Sequence, residues 1–398
     1  MATTAVKTIK IGPIVRLEGH LDIELTVDTV GGETQVIDAK SAGTMFRGFE
    51  AILRGRDPRD ATHYTQRICG VCPTSHAMAS SLALEAAFRV TPPENGRILR
   101  NLMLGANFLQ SHILHFYHLA ALDYVNTSGI LDLAPWTPRM VTSDMVDGQL
   151  ASDLVGNYVE ALAVRRKAHQ MAAIFGGKMP ISPSFAPGGC TQPVSAAAVT
   201  QFRGLLNDVK GFISNKLVLD TLTLGAAFPQ YAKVGQGCGN LLAYGVFDLD
   251  AAGSTKLLSR GRITGGTFQS VSAGDIREYV KYSYYSSGSG ANPSGGSTTP
   301  SVGKSTAYSW VKAPRYEGVV HEVGPLARMR ISGLYIGGTS VLNRLVARAL
   351  EAELIAQALH DELVAFSPED ARGAVRREVG IRAQEGGPLR ARRKRARG

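Results

Sequence analysis

The stretch Arg67-Ile-Cys69-Gly-Val-Cys72-Pro-Thr-Ser-His76 places two thiols three residues apart and a histidine four residues after the second. Two thiolates at that spacing can grip one soft or borderline metal ion such as zinc, nickel or iron, and Gly70 lets the backbone curl tightly between them. By itself a Cys-x-x-Cys pair also serves as a thioredoxin-like dithiol, as half of a zinc site, or as two buried cysteines. Only two other cysteines, Cys190 and Cys238, occur in the 398 residues. Four thiols are too few for a disulfide scaffold, so the pair points to metal or redox chemistry.

Around this stretch the chain reads as α+β, mainly α. Residues 7–40 alternate apolar and polar positions (Leu21, Ile23, Leu25, Val27) and break at Gly31-Gly32, which predicts a β-hairpin at the start of the fold. Helix formers dominate residues 93–125, 152–174 and 195–216. Residues 235–309 are short-patterned, β-branched and Gly-rich, and their low-complexity part, residues 286–305, reads as a surface loop or linker. After Gly338, Leu342, Leu345, Val346, Ala349 and Leu350 share one helical face, predicting an amphipathic helix to about Ala365. The expected architecture is one large domain over residues 1–365, a helical-bundle core with a β-rich N-terminal edge and an irregular Gly-rich region. Bundle cores are a place where facing side chains build metal sites.

Composition narrows the function classes. With 44% hydrophobic and 19% charged residues the chain is globular rather than fibrous or disordered. No apolar run approaches the roughly 18 residues a membrane helix needs, and the first residues lack the apolar stretch and cleavage site of a secretory signal. The net charge of +10 is concentrated at one end: residues 366–398 carry nine Arg and one Lys against four acids, or +6. That tail has no aromatic interleaving to stack on bases, so it reads as a solvated end and nucleic acid is not an expected partner.

Taken with its surroundings, RICGVCPTSH resembles the first metal-binding motif of nickel–iron hydrogenase large subunits, Arg-x-Cys-Gly-x-Cys-x-x-x-His, at each fixed position. RLEGH (residues 16–20) resembles that family's N-terminal signature, and TMFRGFEAILRGRDPRDATHYTQ joins the two. HFYHLAALDYV, GGKMPISPSFAPGGCT, YSWVKAPRYEG and EVGPLARM follow in family order. The resemblance implies reversible cleavage of H2 to protons and electrons, with Cys69 a terminal nickel ligand and Cys72 bridging nickel to an iron that also holds cyanide and carbon monoxide. It implies Glu18 as the carboxylate that accepts the proton from the metal thiolate and Glu50 as a ligand of a structural magnesium. His76 reads as a hydrogen-bond donor toward a cysteine sulfur, and Glu278 and Lys312 as hydrogen-bonded neighbours of the magnesium site. His112, His115 and His118 read as packed, hydrogen-bonded residues, and Cys190 and Cys238 as thiols without metal duty. The implied partners are an iron–sulfur small subunit, which the cysteine count also demands, and the maturation proteins that install cyanide and carbon monoxide. Membrane association would come only through partners, and a periplasmic or membrane-associated location is expected over a cytoplasmic one.

Two departures stand out. Ser111 occupies the place where the family usually carries an Asp, so the position keeps a hydroxyl and loses a charge. The family's second pair, Asp-Pro-Cys-x-x-Cys-x-x-His, has no counterpart here, and the resemblance stops near residue 365 where the Arg-rich tail begins. Two thiolates do not saturate a nickel ion that expects four, so this sequence is expected to bind the metal weakly and to be largely inactive. An out-of-frame reading of a GC-rich gene would give such a tail. The alternative reading is a truncated, non-catalytic large-subunit-like protein that docks with a small subunit or maturation factor.

Overall fold

The computed structural model describes residues 6–14, 17–134, 141–286, 288–296 and 299–366. Of the tail expected over residues 366–398, Phe366 is described and packs into the apolar core of the bundle, and residues 367–398 lie outside the described residues. The chain falls into two compact units, Met1–Arg54 with Val271–His321 and Gly55–Ser270 with Glu322–Gly398.

In the first unit, β1 (Lys7–Ile14), β2 (Leu21–Val30) and β3 (Glu33–Gly43) form an antiparallel sheet in that order. Val30 pairs with Glu33 across a two-residue turn in which Gly31 and Gly32 have φ of 64° and 90°. Two successive positive φ values close a hairpin with the twist of its strands, which is why this turn was legible as Gly-Gly. A short helix, α1 (Phe49–Leu53), follows. The strands Ile276–Tyr279 and Ala313–Tyr316 pair with each other, and Lys304, near the end of the low-complexity stretch, reaches back to the backbone that precedes it. The Lys304 ammonium donates to the carbonyls of Ser283 and Tyr285 at 3.1 Å each and to that of Val280.

The second unit is a helical bundle: α2 (Ala61–Thr65), α3 (Pro73–Phe88), α4 (Glu94–Ile113), α5 (Gly148–Gly176), α6 (Ala196–Phe212), α7 (Val218–Ala227), α8 (Pro325–Ile331) and α9 (Val341–Ala365). A two-residue hairpin, β4 (Phe185–Ala186) with β5 (Gly189–Cys190), and a sheet of β6 (Leu241–Asp248), β7 (Lys256–Thr264) and β8 (Thr267–Gln269) complete it. The helix-rich reading holds: the stretch expected over 93–125 is α4 continued through π-helical and 3-10 turns to Tyr124, whereas the second runs a little longer, as Gly148–Gly176, and the third continues beyond residue 216 to Ala227. The helix immediately after the Cys-x-x-Cys loop was not anticipated. Its buried residues are Pro73, Thr74, Ala77, Ser80, Ser81, Leu84 and Glu85, mostly small or polar, with Leu84 the one large apolar side chain, so no apolar stripe is left to detect.

α4 is buried almost all round because it is the bundle's axis, packed against α3, α5 and α9. Gly105 sits where α9 crosses: a Cβ there would lie 2.5 Å from Leu359 Cδ2, so a larger residue would have to displace that buried side chain. α9 opens with a capping box, Ser340 and Asn343 exchanging side-chain and backbone hydrogen bonds.

Two buried charge networks pin the bundle. Arg100 on α4 is 2% exposed and lies 2.7 Å from Glu85 of α3. Its guanidinium also donates to the carbonyls of Gly189 (2.8 Å) and Ala186, while the Gly188 N–H donates to Glu85 at 2.7 Å. Every group in this cluster has a partner, the condition under which a buried ion pair is tolerated. In the second network Glu351 of α9, wholly buried, accepts from Arg328 of α8 at 2.6 and 2.7 Å and from His112 Nε2 at 2.8 Å. Arg348 Nη1 lies 3.1 Å from His112 Nδ1. Guanidinium can only donate, so Nδ1 accepts and the proton sits on Nε2, facing Glu351.

Glu85→Ala should leave Arg100 buried without its counter-charge and destabilise the bundle by roughly 3–5 kcal/mol in denaturant unfolding. A loss below about 1 kcal/mol would show that the carbonyl acceptors alone satisfy the guanidinium.

Acid should loosen the same unit. Burial holds His112 at about 4 and His115 at about 3, below the ordinary 6.5, and burial beside Arg165 holds His169 at about 4. Burial opposes the charge of Glu351, but Arg328 and His112 outweigh it and hold the carboxyl at about 2. Groups with lowered folded pKa values make the unfolded chain the better proton binder. The contribution of the three rings is therefore complete above pH 6.5 and shrinks toward pH 4, and that of Glu351 follows below about 4.5. Unfolding near pH 5 is expected to take up as many as about three protons. An unfolding midpoint independent of pH between 7 and 4.5 would contradict this.

Candidate metal centre

The Cys-x-x-Cys loop is shaped by the turns on either side. A 3-10 turn, Gln66–Ile68, delivers Cys69 in extended backbone, and Cys72 is the residue before α3, with Pro73 at the first helical position where a missing N–H costs nothing. The positive end of a 16-residue helix thus lies beside Cys72, an environment that favours a thiolate. His76 is one helical turn farther on and faces the same side as Cys72.

The result is convergence: Cys69 Sγ, Cys72 Sγ and a ring nitrogen of His76 all lie within 4.8 Å of one another, Cys69 buried and the other two half-buried. The Cys72 N–H donates to Cys69 Sγ at 3.0 Å, a contact that tunes sulfur as a donor. Two sulfurs and an imidazole form a soft-to-borderline donor set, suited to nickel, iron or zinc and unsuited to magnesium or calcium. Cys69 and Cys72, the thiols expected to hold a metal, are therefore together with His76 beside them, and their chemistry fits a thiolate-bound metal. Beside them, in the same unit, a mostly apolar cleft of about 400 Å³ runs along α3 between Ser75, Met78, Phe108, Val246 and Arg328.

The remaining residues fall as follows. His112 and His118 are hydrogen-bonded packing residues, His118 Nε2 lying 3.2 Å from the Tyr158 carbonyl. His115 Nδ1 is buried without a hydrogen-bond partner. Ser111 is half-buried at the end of α4. Cys190 is buried in β5 with its sulfur 3.7 Å from the Phe175 carbonyl, and Cys238 is exposed beside the Asn240 carbonyl; neither joins the Cys69 cluster. In the first unit Glu18 is exposed in the bend between β1 and β2. Glu50, in the first turn of α1, lies 3.5 Å from Lys312 Nζ, which donates to Glu278 at 3.0 Å. Burial disfavours the Lys312 ammonium, but its bond to Glu278 and the charges of Glu50 and Glu278 raise its pKa overall. The cluster anticipated around Glu50 thus exists as two carboxylates sharing one ammonium.

Residues that hold the loop were not legible. Gln110, Arg165 and His169, distant in sequence, converge behind Val71. No local spacing announces them.

Comparison with known proteins agrees with this geometry. The nickel-dependent hydrogenase family matches residues 47–153 and 147–360. The periplasmic [NiFeSe] hydrogenase large subunit of Desulfomicrobium baculatum is 44% identical over 332 residues, covering 81% of this chain and 63% of that protein. The hydrogenase-2 large chain of Escherichia coli K12 is 32% identical, covering 85% of this chain and 70% of its own length. The fold superposes on the Ni-Fe-Se hydrogenase of D. vulgaris Hildenborough in the reduced state with a TM-score of 0.85 at 41% identity, over 91% of this chain and 80% of that one. The chain thus spans a little under two thirds of the first of these relatives. Among the described residues no helix is long and apolar enough to cross a membrane. With two sulfurs and an imidazole converging at the start of α3, in a fold matched along most of its length, this chain belongs to the nickel-dependent hydrogenase family.

Proposed function

We propose that this chain acts as the catalytic large subunit of a hydrogenase, with Cys69 as a terminal nickel ligand and Cys72 as the thiolate shared between nickel and iron. The observation that carries the reading is the convergence of Cys69 Sγ, Cys72 Sγ and His76 within 4.8 Å at the mouth of a helix. The metal pair, when bound with cyanide and carbon monoxide on iron, supplies the cleavage of H2 to two protons and two electrons. This chain's own contributions are binding and proton handling. Cys69 and Cys72 hold the metal, the Cys72 N–H holds the Cys69 sulfur in place, and His76 packs against the pair. Glu18 is the proposed acceptor of the proton released at a cysteine sulfur, since a carboxylate can take up a proton with little reorganisation. Glu50 is the proposed carboxylate ligand of magnesium, a hard-oxygen donor with Lys312 and Glu278 beside it.

Four thiols leave no room for an iron–sulfur relay, so electrons are proposed to leave through an iron–sulfur small subunit. Cyanide and carbon monoxide require maturation proteins. A periplasmic location is the reading that the first-named relative supports, and association with a membrane through partners is proposed beside it.

The test is the nickel and iron content of the chain produced together with its maturation proteins, with H2-dependent reduction of a viologen dye as the second readout. Cys69→Ser and Cys72→Ser should each cut nickel content by at least about tenfold, as removing even an outer contact to a metal ligand often does. Cys190→Ser and Cys238→Ser should leave it unchanged. Equal nickel in Cys69→Ser and the parent chain, or no nickel in either, overturns the reading.

A further inference from the structure

Val71 and Cys72 share one peptide group, and that group is held from both sides. Its carbonyl oxygen accepts from Gln110 Nε2 at 2.6 Å, and its N–H donates to Cys69 Sγ at 3.0 Å. In a trans peptide the C=O and N–H point in opposite directions, so anchoring the carbonyl toward α4 aims the N–H at the sulfur. Gln110 is wholly buried on α4.

The orientation of the Gln110 amide is dictated by α5. Arg165 Nε lies 3.0 Å from Gln110 Oε1, and His169 Nε2 lies 3.1 Å from the same atom. A guanidinium has no acceptor, so the atom facing Arg165 must be the amide oxygen. The amide nitrogen is thereby turned toward Val71, where only a donor can serve. Two residues on α5 therefore decide which way a glutamine on α4 points, and that glutamine decides which way a peptide between two metal-binding cysteines points.

We propose that Gln110, oriented by Arg165 and His169, is a positioning residue that keeps the Val71–Cys72 peptide N–H on the Cys69 sulfur. Its metal-tuning consequence rests on Cys69 being a metal ligand; the hydrogen-bond relay itself does not. Bonds in such a chain polarise one another: donation to the carbonyl makes the peptide N–H a stronger donor. An N–H donor in turn withdraws electron density from a thiolate and so tunes the metal it binds. The relay would set how strongly one sulfur donates without any of its side chains touching the metal.

The test compares the metal-free parent chain with Gln110→Met, which keeps length and volume but cannot donate, and Gln110→Glu, which keeps the acceptor for Arg165 and His169 but offers Val71 no amide donor. Hydrogen exchange resolved at the Cys72 amide should quicken by about tenfold in both variants, the loss of one hydrogen bond, while amides of α5 keep their rates. Addition of cobalt(II) gives a second readout: the thiolate-to-cobalt absorption band should move to lower energy in both variants, because a sulfur relieved of its N–H donor gives up charge more easily. Parent-like Cys72 exchange in a variant with unchanged α5 amides, or an unshifted cobalt band, overturns the proposal. Global unfolding of both variants also overturns it, because Gln110 would then be a packing residue. Absence of any thiolate band in the parent chain would instead count against Cys69 and Cys72 as the metal site and leave the exchange result to decide the relay.

Discussion

The placement of α3 in the bundle depends on one buried ion pair. Arg100 and Glu85 are shielded from water, yet between them they bind two helices and the backbone of the β4–β5 hairpin. Such a pair is costly to desolvate and gains little net stability over an apolar substitute, so its value is one of placement. It locks the far end of α3 to the axis of the bundle. The near end of α3 carries the two thiols, and a helix held at one end by charge presents its other end in one position.

What the sequence made legible and what it did not follows the range of each interaction. The hairpin at Gly31-Gly32 and the amphipathic α9 were readable because a turn and a helical face are encoded within a few residues. The convergence of Cys69, Cys72 and His76 was readable for the same reason, since a short loop and one helical turn bring them together. α3 escaped because its inward face is mostly Thr, Ala and Ser with a single leucine, which suits close approach more than apolar area. Gln110, Arg165 and His169 escaped because their joint effect exists only after two helices have packed. The resemblance to a known family supplied roles for Glu18 and Glu50 that no local pattern could have assigned.

Charge is handled differently in the two units. In the bundle, the buried carboxylates Glu85 and Glu351 each face arginine, and imidazoles are kept neutral, so the interior around α4 is ionised only where a guanidinium answers. In the first unit the lysine Lys312 mediates between two carboxylates at its edge. Arginine's rigid fork suits the first task, and lysine's compact ammonium the second.

The Lys304 ammonium, ringed by the carbonyls of Val280, Ser283 and Tyr285, occupies its loop as a potassium ion would occupy a crown ether. A Gly-, Ser- and Pro-rich segment with little to bury is thereby tied, near its far end, to the backbone just before it. Such a segment can drift in sequence wherever that tie is kept, and a modification that neutralises the one amine would cut it.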